Sequence, residues 1–142
     1  MKPTRRDLAF LLPVLSAIDS KAQAAPLISK AYPFAEIPVK ASGTGGVNKT
    51  RSILKGALHS GFALEVHETE LPHRGSPHPP HRHLHEEMFV VLDGFVDFML
   101  DDATTRLGPG SAGLAASNDL HGISNGGPAP CRYVVFAFGE DK

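Results

Sequence analysis

Chain breakers set the limits on how this sequence can fold. Fourteen glycines and twelve prolines are spread over 142 residues, a density that favours short strands and frequent turns over long helices. They cluster in a proline-crowded stretch at 71–80, an Asp93-Gly94 pair, Gly108-Pro109-Gly110 and Gly126-Gly127-Pro128. Between them lie β-prone runs. Residues 53–58 form one candidate strand. Residues 62–66 alternate, with Phe62, Leu64 and Val66 on one face and Ala63, Glu65 and His67 on the other. Residues 88–92 and 95–100 are apolar runs joined through Asp93-Gly94, which predicts a tight hairpin because both central turn positions favour residues tolerant of positive φ. Residues 111–115 and 120–124 are further short strands, and 132–138 (RYVVFAF) closes the series. Residues 40–50, rich in Gly, Ser, Thr and Asn, read as a surface loop. No useful helical periodicity follows residue 30, and there is no internal repeat. Eight or so short strands at turn-rich spacing predict an all-β sandwich or barrel.

The length suits one domain, and 42% hydrophobic against 20% charged residues can support a packed core. A net charge of -1, with no basic stripe beyond the first few residues, argues against a nucleic-acid binder. No apolar run reaches the 18 residues of a membrane span. The single cysteine, Cys131, excludes an internal disulfide and any multi-thiolate zinc site. It precedes an apolar strand and is expected to pack as a small hydrophobe.

Residues 1–24 have the organisation of an export signal. Lys2, Arg5 and Arg6 make a basic start, residues 8–18 (LAFLLPVLSAI) an apolar segment, and Ala22-Gln23-Ala24 a small-residue cleavage site. The run Thr4-Arg5-Arg6-Asp7-Leu8 resembles a twin-arginine translocation signal. The expectation is a periplasmic or secreted protein in which residues 25–50 supply an N-terminal strand and loop and residues 51–142 the barrel.

Five of the eight histidines fall between His73 and His85. His81 and His83 are two apart, so on an extended backbone their rings share a face. Two imidazoles on one face are costly to bury without hydrogen-bond partners or a metal. Glu87 has the same parity and can supply an oxygen ligand, and His121 lies on a later strand among apolar neighbours. Three imidazoles and a carboxylate form a mixed N/O set suited to Mn, Fe, Co, Ni, Cu or Zn.

With these residues the chain resembles the cupin family. That family's first motif, Gly, five residues, His-x-His, three or four residues, Glu, six residues, Gly, is matched by Gly75, His81, His83, Glu87 and Gly94. Its second motif is matched by Gly110, His121 and Asn125, while Ala116 stands where the motif has proline and Asn118 where it has glycine. Asn118 can adopt the positive φ that the glycine would supply. The resemblance spans roughly residues 50–138. It implies a double-stranded β-helix (jelly-roll-like) barrel with one divalent transition metal held in its mouth by His81, His83, Glu87 and His121, and commonly a homodimer formed through exposed strand edges.

The remaining polar residues have plainer readings. His73 and His78 are expected on exposed loops, His59 and His67 at the surface or a strand edge, and Glu86 in solvent. Arg82, between two candidate ligands, should point outward. His85 shares the ligand parity without a counterpart in the motif, which leaves a place beside the ligands, against substrate or on the surface; the last is favoured. Asn125 is assigned to the turn after its strand. Candidates for the lining are Phe62, Leu64, Phe89, Val91, Phe98, Met99, Tyr133 and Val135, with Tyr133 the one obvious acid. No arginine is assigned to the interior, so the expected substrate is a small, partly apolar molecule with an oxygen donor. Two functions fit: an exported metal-dependent enzyme, with dioxygenase chemistry as first guess over decarboxylase or isomerase, or a periplasmic binding or sensing module whose metal captures ligand or supports structure. Fold and ligand set do not choose between them.

Overall fold

A computed structural model describes residues 25–43 and 46–140. The expected export segment at 1–24 lies outside the described residues. Nine strands and one short 3₁₀ turn (Phe34–Glu36) make up the described regular structure. The strands are β1 (Lys40–Ser42), β2 (Asn48–Ala57), β3 (Ala63–Leu71), β4 (Glu86–Asp93), β5 (Val96–Leu100), β6 (Ala103–Leu107), β7 (Ala112–Ala115), β8 (His121–Asn125) and β9 (Cys131–Phe138). They form a six-stranded sheet in the order β1-β2-β3-β9-β4-β7 and a three-stranded sheet in the order β6-β5-β8, with every pairing antiparallel. The all-β double-sheet architecture expected from the turn spacing is the one observed.

Alternation along the strands puts the core between the sheets. Phe89 and Val91 of β4, Cys131, Tyr133 and Val135 of β9, and Leu71 of β3 are buried from one sheet, Val96, Phe98 and Ile123 from the other. Phe89 stacks edge-on against Phe98 at 5.0 Å and Tyr133 at 6.0 Å. Its ring fills the space left at Gly113, where an added Cβ would lie 2.4 Å from it.

Asp93-Gly94 does not make a hairpin. β4 pairs with β7 and β9, whereas β5 pairs with β6 and β8, so the pair turns a corner from one sheet into the other. The residue requirement is the same but the destination differs. Gly94 has φ +70°, and a Cβ there would stand 2.7 Å from the Pro130 carbonyl and 2.8 Å from Cys131 Cα. The corner therefore needs glycine for both conformation and space.

Three further expectations are corrected. The loop expected at 40–50 contains β1 and the start of β2, held by a 3.0 Å hydrogen bond between Ser42 Oγ and Thr50 Oγ1; its polar composition reflects a polar inner face. β6 (ATTRL) was not expected at all, because it is exposed almost throughout and carries no apolar alternation. The inward face of β3, which the alternation of residues 62–66 left open, is not the one carrying the lining candidates Phe62 and Leu64. His67, Thr69 and Leu71 point in with Val135, Tyr133 and Cys131 opposite them, while Leu64 shares the outer face with Val66 and Glu68. Phe62 precedes the strand and is exposed, and Met99 lies off the face shared by Phe98 and Val96. A single step in parity exchanges the faces of a strand.

The outer face of β3 is capped by the segment before β1. Glu68, fully buried, accepts a 2.7 Å ion pair from Arg51, whose guanidinium lies 4.5 Å from the ring of Phe34. Leu27 N donates to the Ala57 carbonyl at 2.7 Å, tying the segment to the end of β2.

Candidate metal centre and cavity

The histidine-bearing loop reaches its place by running along the free edge of β8. Asn125 N donates to the Gly75 carbonyl (2.8 Å), Ser76 Oγ to the Ile123 carbonyl (3.0 Å), and His81 and His121 exchange backbone hydrogen bonds at 3.0 and 3.1 Å. Pro77, Pro79 and Pro80 have no N–H to donate, which reduces a strand pairing to an isolated bridge at His81. Across the bridge the His81 and His121 rings lie 4.9 Å apart, and His83 follows at 5.0 Å from His81 and 4.6 Å from His121.

Hydrogen bonds to the far side of two rings fix their tautomers. His83 Nδ1 donates to the His85 carbonyl (2.8 Å) and His121 Nδ1 to the Asp119 carbonyl (2.9 Å), leaving each Nε2 as a bare lone pair. Both Nε2 atoms are buried and without a hydrogen-bond partner, as is His81 Nδ1. Three orphaned imidazole nitrogens in one spot are what a cation would satisfy, and backbone carbonyls on Nδ1 are the usual orienting support for a ligating histidine. Burial lowers the pKa of His81, and the neighbouring His78, His121 and His83 reinforce the shift. The ring is held in the neutral form that a metal ligand requires.

One ligand atom from each of His81, His83 and His121 lies within 4.8 Å of the others. Glu87 falls in a second such set, with His83 and His85. Its Oε2 is 3.5 Å from His83 Nε2 and 3.8 Å from His85 Nε2. Thus the three histidines of the expected quartet are brought together and the carboxylate stands beside His83. His85 is stacked flat on His83, with centroids 3.6 Å apart and planes 9° apart. It sits against the cluster, not on the favoured surface position.

The other residues fall as follows. Arg82 points outward, donating to the Asn118 carbonyl and lying 3.8 Å from Asp101. Asn118 has φ +64° and donates its N–H to the His83 carbonyl at 2.8 Å, so it supplies the left-handed turn that positions the loop before His121. Asn125 spends its side chain on the chain reversals around β8. Its Nδ2 is within 2.8–3.2 Å of the Leu71, Pro72 and Ala129 carbonyls and its Oδ1 accepts from Gly127 N. His73 is bonded to the Gly127 carbonyl at 2.6 Å and His78 packs edge-on against His81 at 4.1 Å.

A cavity of about 290 Å³ adjoins the cluster, lined by Glu87 and His121, by Ile123, Val135, Pro77 and His78, and by Ser42, Thr50, His67, Thr69 and Tyr133. Tyr133 lies opposite Thr69 across the β3–β9 pairing, and burial raises its pKa far above neutrality, which removes it as a proton donor of useful strength. His67 is the residue that sequence reading missed. Its ring belongs to the cavity wall, with Nδ1 buried and unbonded, and burial lowers its pKa. The signal that could have found it is the polar–apolar run His67, Thr69, Leu71, which continues inward to a fully buried leucine.

Comparison with known proteins bears on this geometry. Residues 67–137, half of the chain, match the Cupin_2 family, described as "Cupin domain". A comparison with curated proteins returns no significant match. Among solved structures, the polyketide cyclase RemF from Streptomyces resistomycificus superposes with a TM-score of 0.65 at 23% identity, over 80% of this chain and 82% of that one. An RmlC-like cupin from Shewanella frigidimarina gives 0.62 at 17%, over 79% and 93%. A predicted oxalate decarboxylase from Thermotoga maritima gives 0.65 at 14%, over 78% and 100%. At these identities the likeness is one of fold. Together with the matched segment, which runs from His67 through the histidine cluster to β9, it establishes that the chain belongs to the cupin family.

Proposed function

We propose that this cupin binds one divalent transition metal per chain through His81, His83 and His121, with Glu87 as the fourth ligand, and acts on a small, partly apolar substrate that reaches the metal by an oxygen atom. The observation that carries the reading is the convergence of three buried, unpartnered imidazole nitrogens beside the cavity. When bound, such an ion polarises a coordinated oxygen as a Lewis acid. The chain's own contribution is to hold the three rings in fixed tautomers, to shield the site with Ile123 and Val135, and to present polar groups along the rest of the wall.

The adjoining cavity, which reaches the cluster at His121 and Glu87, favours a site that meets a ligand over a closed structural one. Dioxygenase chemistry remains the first guess within this reading. Export to the periplasm, by the twin-arginine or the general route, and assembly as a homodimer through the sheet edges at β1 and β7 are parts of the same proposal. Support for export comes from the basic, apolar and Ala-x-Ala order of residues 1–24.

Elemental analysis of the purified protein against a His83→Ala variant tests the metal. The expected result is about one transition-metal ion per chain in the native protein and an affinity at least ~100-fold weaker in the variant. Full metal content in the variant would remove His83 from the site. Intact mass of protein recovered from the periplasm tests export, with a chain beginning at Ala25 expected.

A further inference from the structure

We propose that the cavity is built for a small molecule with two oxygen functions, one presented to the histidine cluster and the other, uncharged, hydrogen-bonded by His67 and Thr50 on the wall formed by β2 and β3. This rests on the metal reading above and adds the substrate class. The two ends of the cavity differ in chemistry. At one end are His121 and Glu87; along the other wall stand Thr50, Thr69 and His67, joined by Ser42 through its bond to Thr50. Between them Ile123, Val135 and Pro77 offer only carbon.

His67 is the informative member. β3 turns it inward in register with Ser52 of β2 and Val135 of β9. Its Nδ1 is buried with no hydrogen-bond partner, and Glu65 Oε1, at 3.6 Å, lies beyond hydrogen-bond reach. Nδ1 itself is sealed beside Glu65, so it is the rest of the ring that lines the cavity, and a ligand hydroxyl or carbonyl there meets a polar edge without displacing a protein hydrogen bond. A neutral imidazole can serve either as donor or as acceptor. Among the described residues no lysine or arginine lines the cavity and Glu87 is its one carboxylate, so a second anionic group on the ligand meets no fixed positive charge there. A volume of about 290 Å³ suits a molecule of about one ring.

A matched pair of hydroxypyranones separates the two ends. Kojic acid and allomaltol chelate a metal through the same hydroxy-ketone, and differ only in a distal hydroxymethyl group that is methyl in allomaltol. Each is titrated into the Co(II)-loaded protein and followed by the cobalt absorption bands. Kojic acid is expected to bind ~10-fold more tightly than allomaltol. The ratio is expected to fall to near one in His67→Phe and in Thr50→Val, whose side chain keeps the shape of threonine. Because it compares two ligands on the same loaded protein, the ratio is independent of metal affinity. Equal binding of the two by the native protein, or a preference surviving both substitutions, would overturn the inference while leaving the metal site standing. Failure of the native protein to bind Co(II) would instead bring down the metal reading, and this inference with it.

Discussion

His81 and His121 face each other across an isolated antiparallel bridge, 3.0 Å from His81 N to the His121 carbonyl and 3.1 Å in return. One residue belongs to the loop leading into the six-stranded sheet, the other opens a strand of the three-stranded sheet. The bridge is made of backbone, so it fixes the spacing of the two residues' backbones whether or not a cation is present. The cluster is thus organised in advance, and a metal would be bound without the cost of ordering a loop.

Metal binding should therefore appear as added stability. With Zn(II) at a hundredfold excess over its Kd, thermal or urea unfolding should report ~2.7 kcal/mol of stabilisation over chelator-treated protein. In His121→Ala, which removes an orphaned buried Nε2, the increment should shrink below ~1 kcal/mol at the same concentration. An unchanged increment would place the ion elsewhere.

Stability of the metal-free protein should decline on acidification through the range where histidine ordinarily titrates. Burial holds the pKa of His67 below its ordinary 6.5, so the unfolded chain takes up this proton more readily than the folded one. The contribution is intact above pH ~6.5 and is lost as pH falls toward the lower folded value. Urea midpoints measured from pH 7.5 to 5 should fall, and His67→Phe should flatten the curve. A slope unaffected by that substitution would assign the dependence to other groups.

Gly94→Ala should destabilise by ~3 kcal/mol or more, combining a left-handed backbone with a Cβ driven into the Pro130 carbonyl and Cys131. A loss within ~0.5 kcal/mol in urea unfolding would mean that the corner can shift.

Asn125→Asp should cost ~2–4 kcal/mol, because Nδ2 is placed to donate to three carbonyls and a carboxylate cannot donate to any of them. Asn125→Ala should be the milder change. Chemical denaturation of both variants measures the order, and equal losses would show that the lost donor, common to both, sets the cost and that the carboxylate facing the three carbonyls adds nothing.

How far the sequence alone reaches can be read from particular residues. The positions of His81, His83 and His121 were legible because their spacing is tied to strand parity and matches a family pattern. Asn118 was legible because few side chains other than Gly and Asn tolerate its φ. The role of Asp93-Gly94 was not: the same dipeptide suits a hairpin and an inter-sheet corner, and only the partners of β4 and β5 distinguish them. β6 left no trace, since a solvated strand of ATTRL has no face to alternate. His67 was misplaced by reading residues 62–66 in isolation. Phe62 and Leu64 suggest one inward face, yet the register to Tyr133 and Cys131 further along imposes the other.

The setting of Cys131 bears on how the chain tolerates its surroundings. The residue has no exposed surface and sits under the Gly94 corner, and burial pushes its thiol pKa up to about 11. At pH 7 about one molecule in ten thousand would carry the reactive thiolate. A folded copy should ignore a disulfide reagent that an unfolded copy consumes at once, so the one sulfhydryl doubles as a reporter of global opening. It also means that a change from reducing to oxidising conditions gives the native molecule nothing to crosslink.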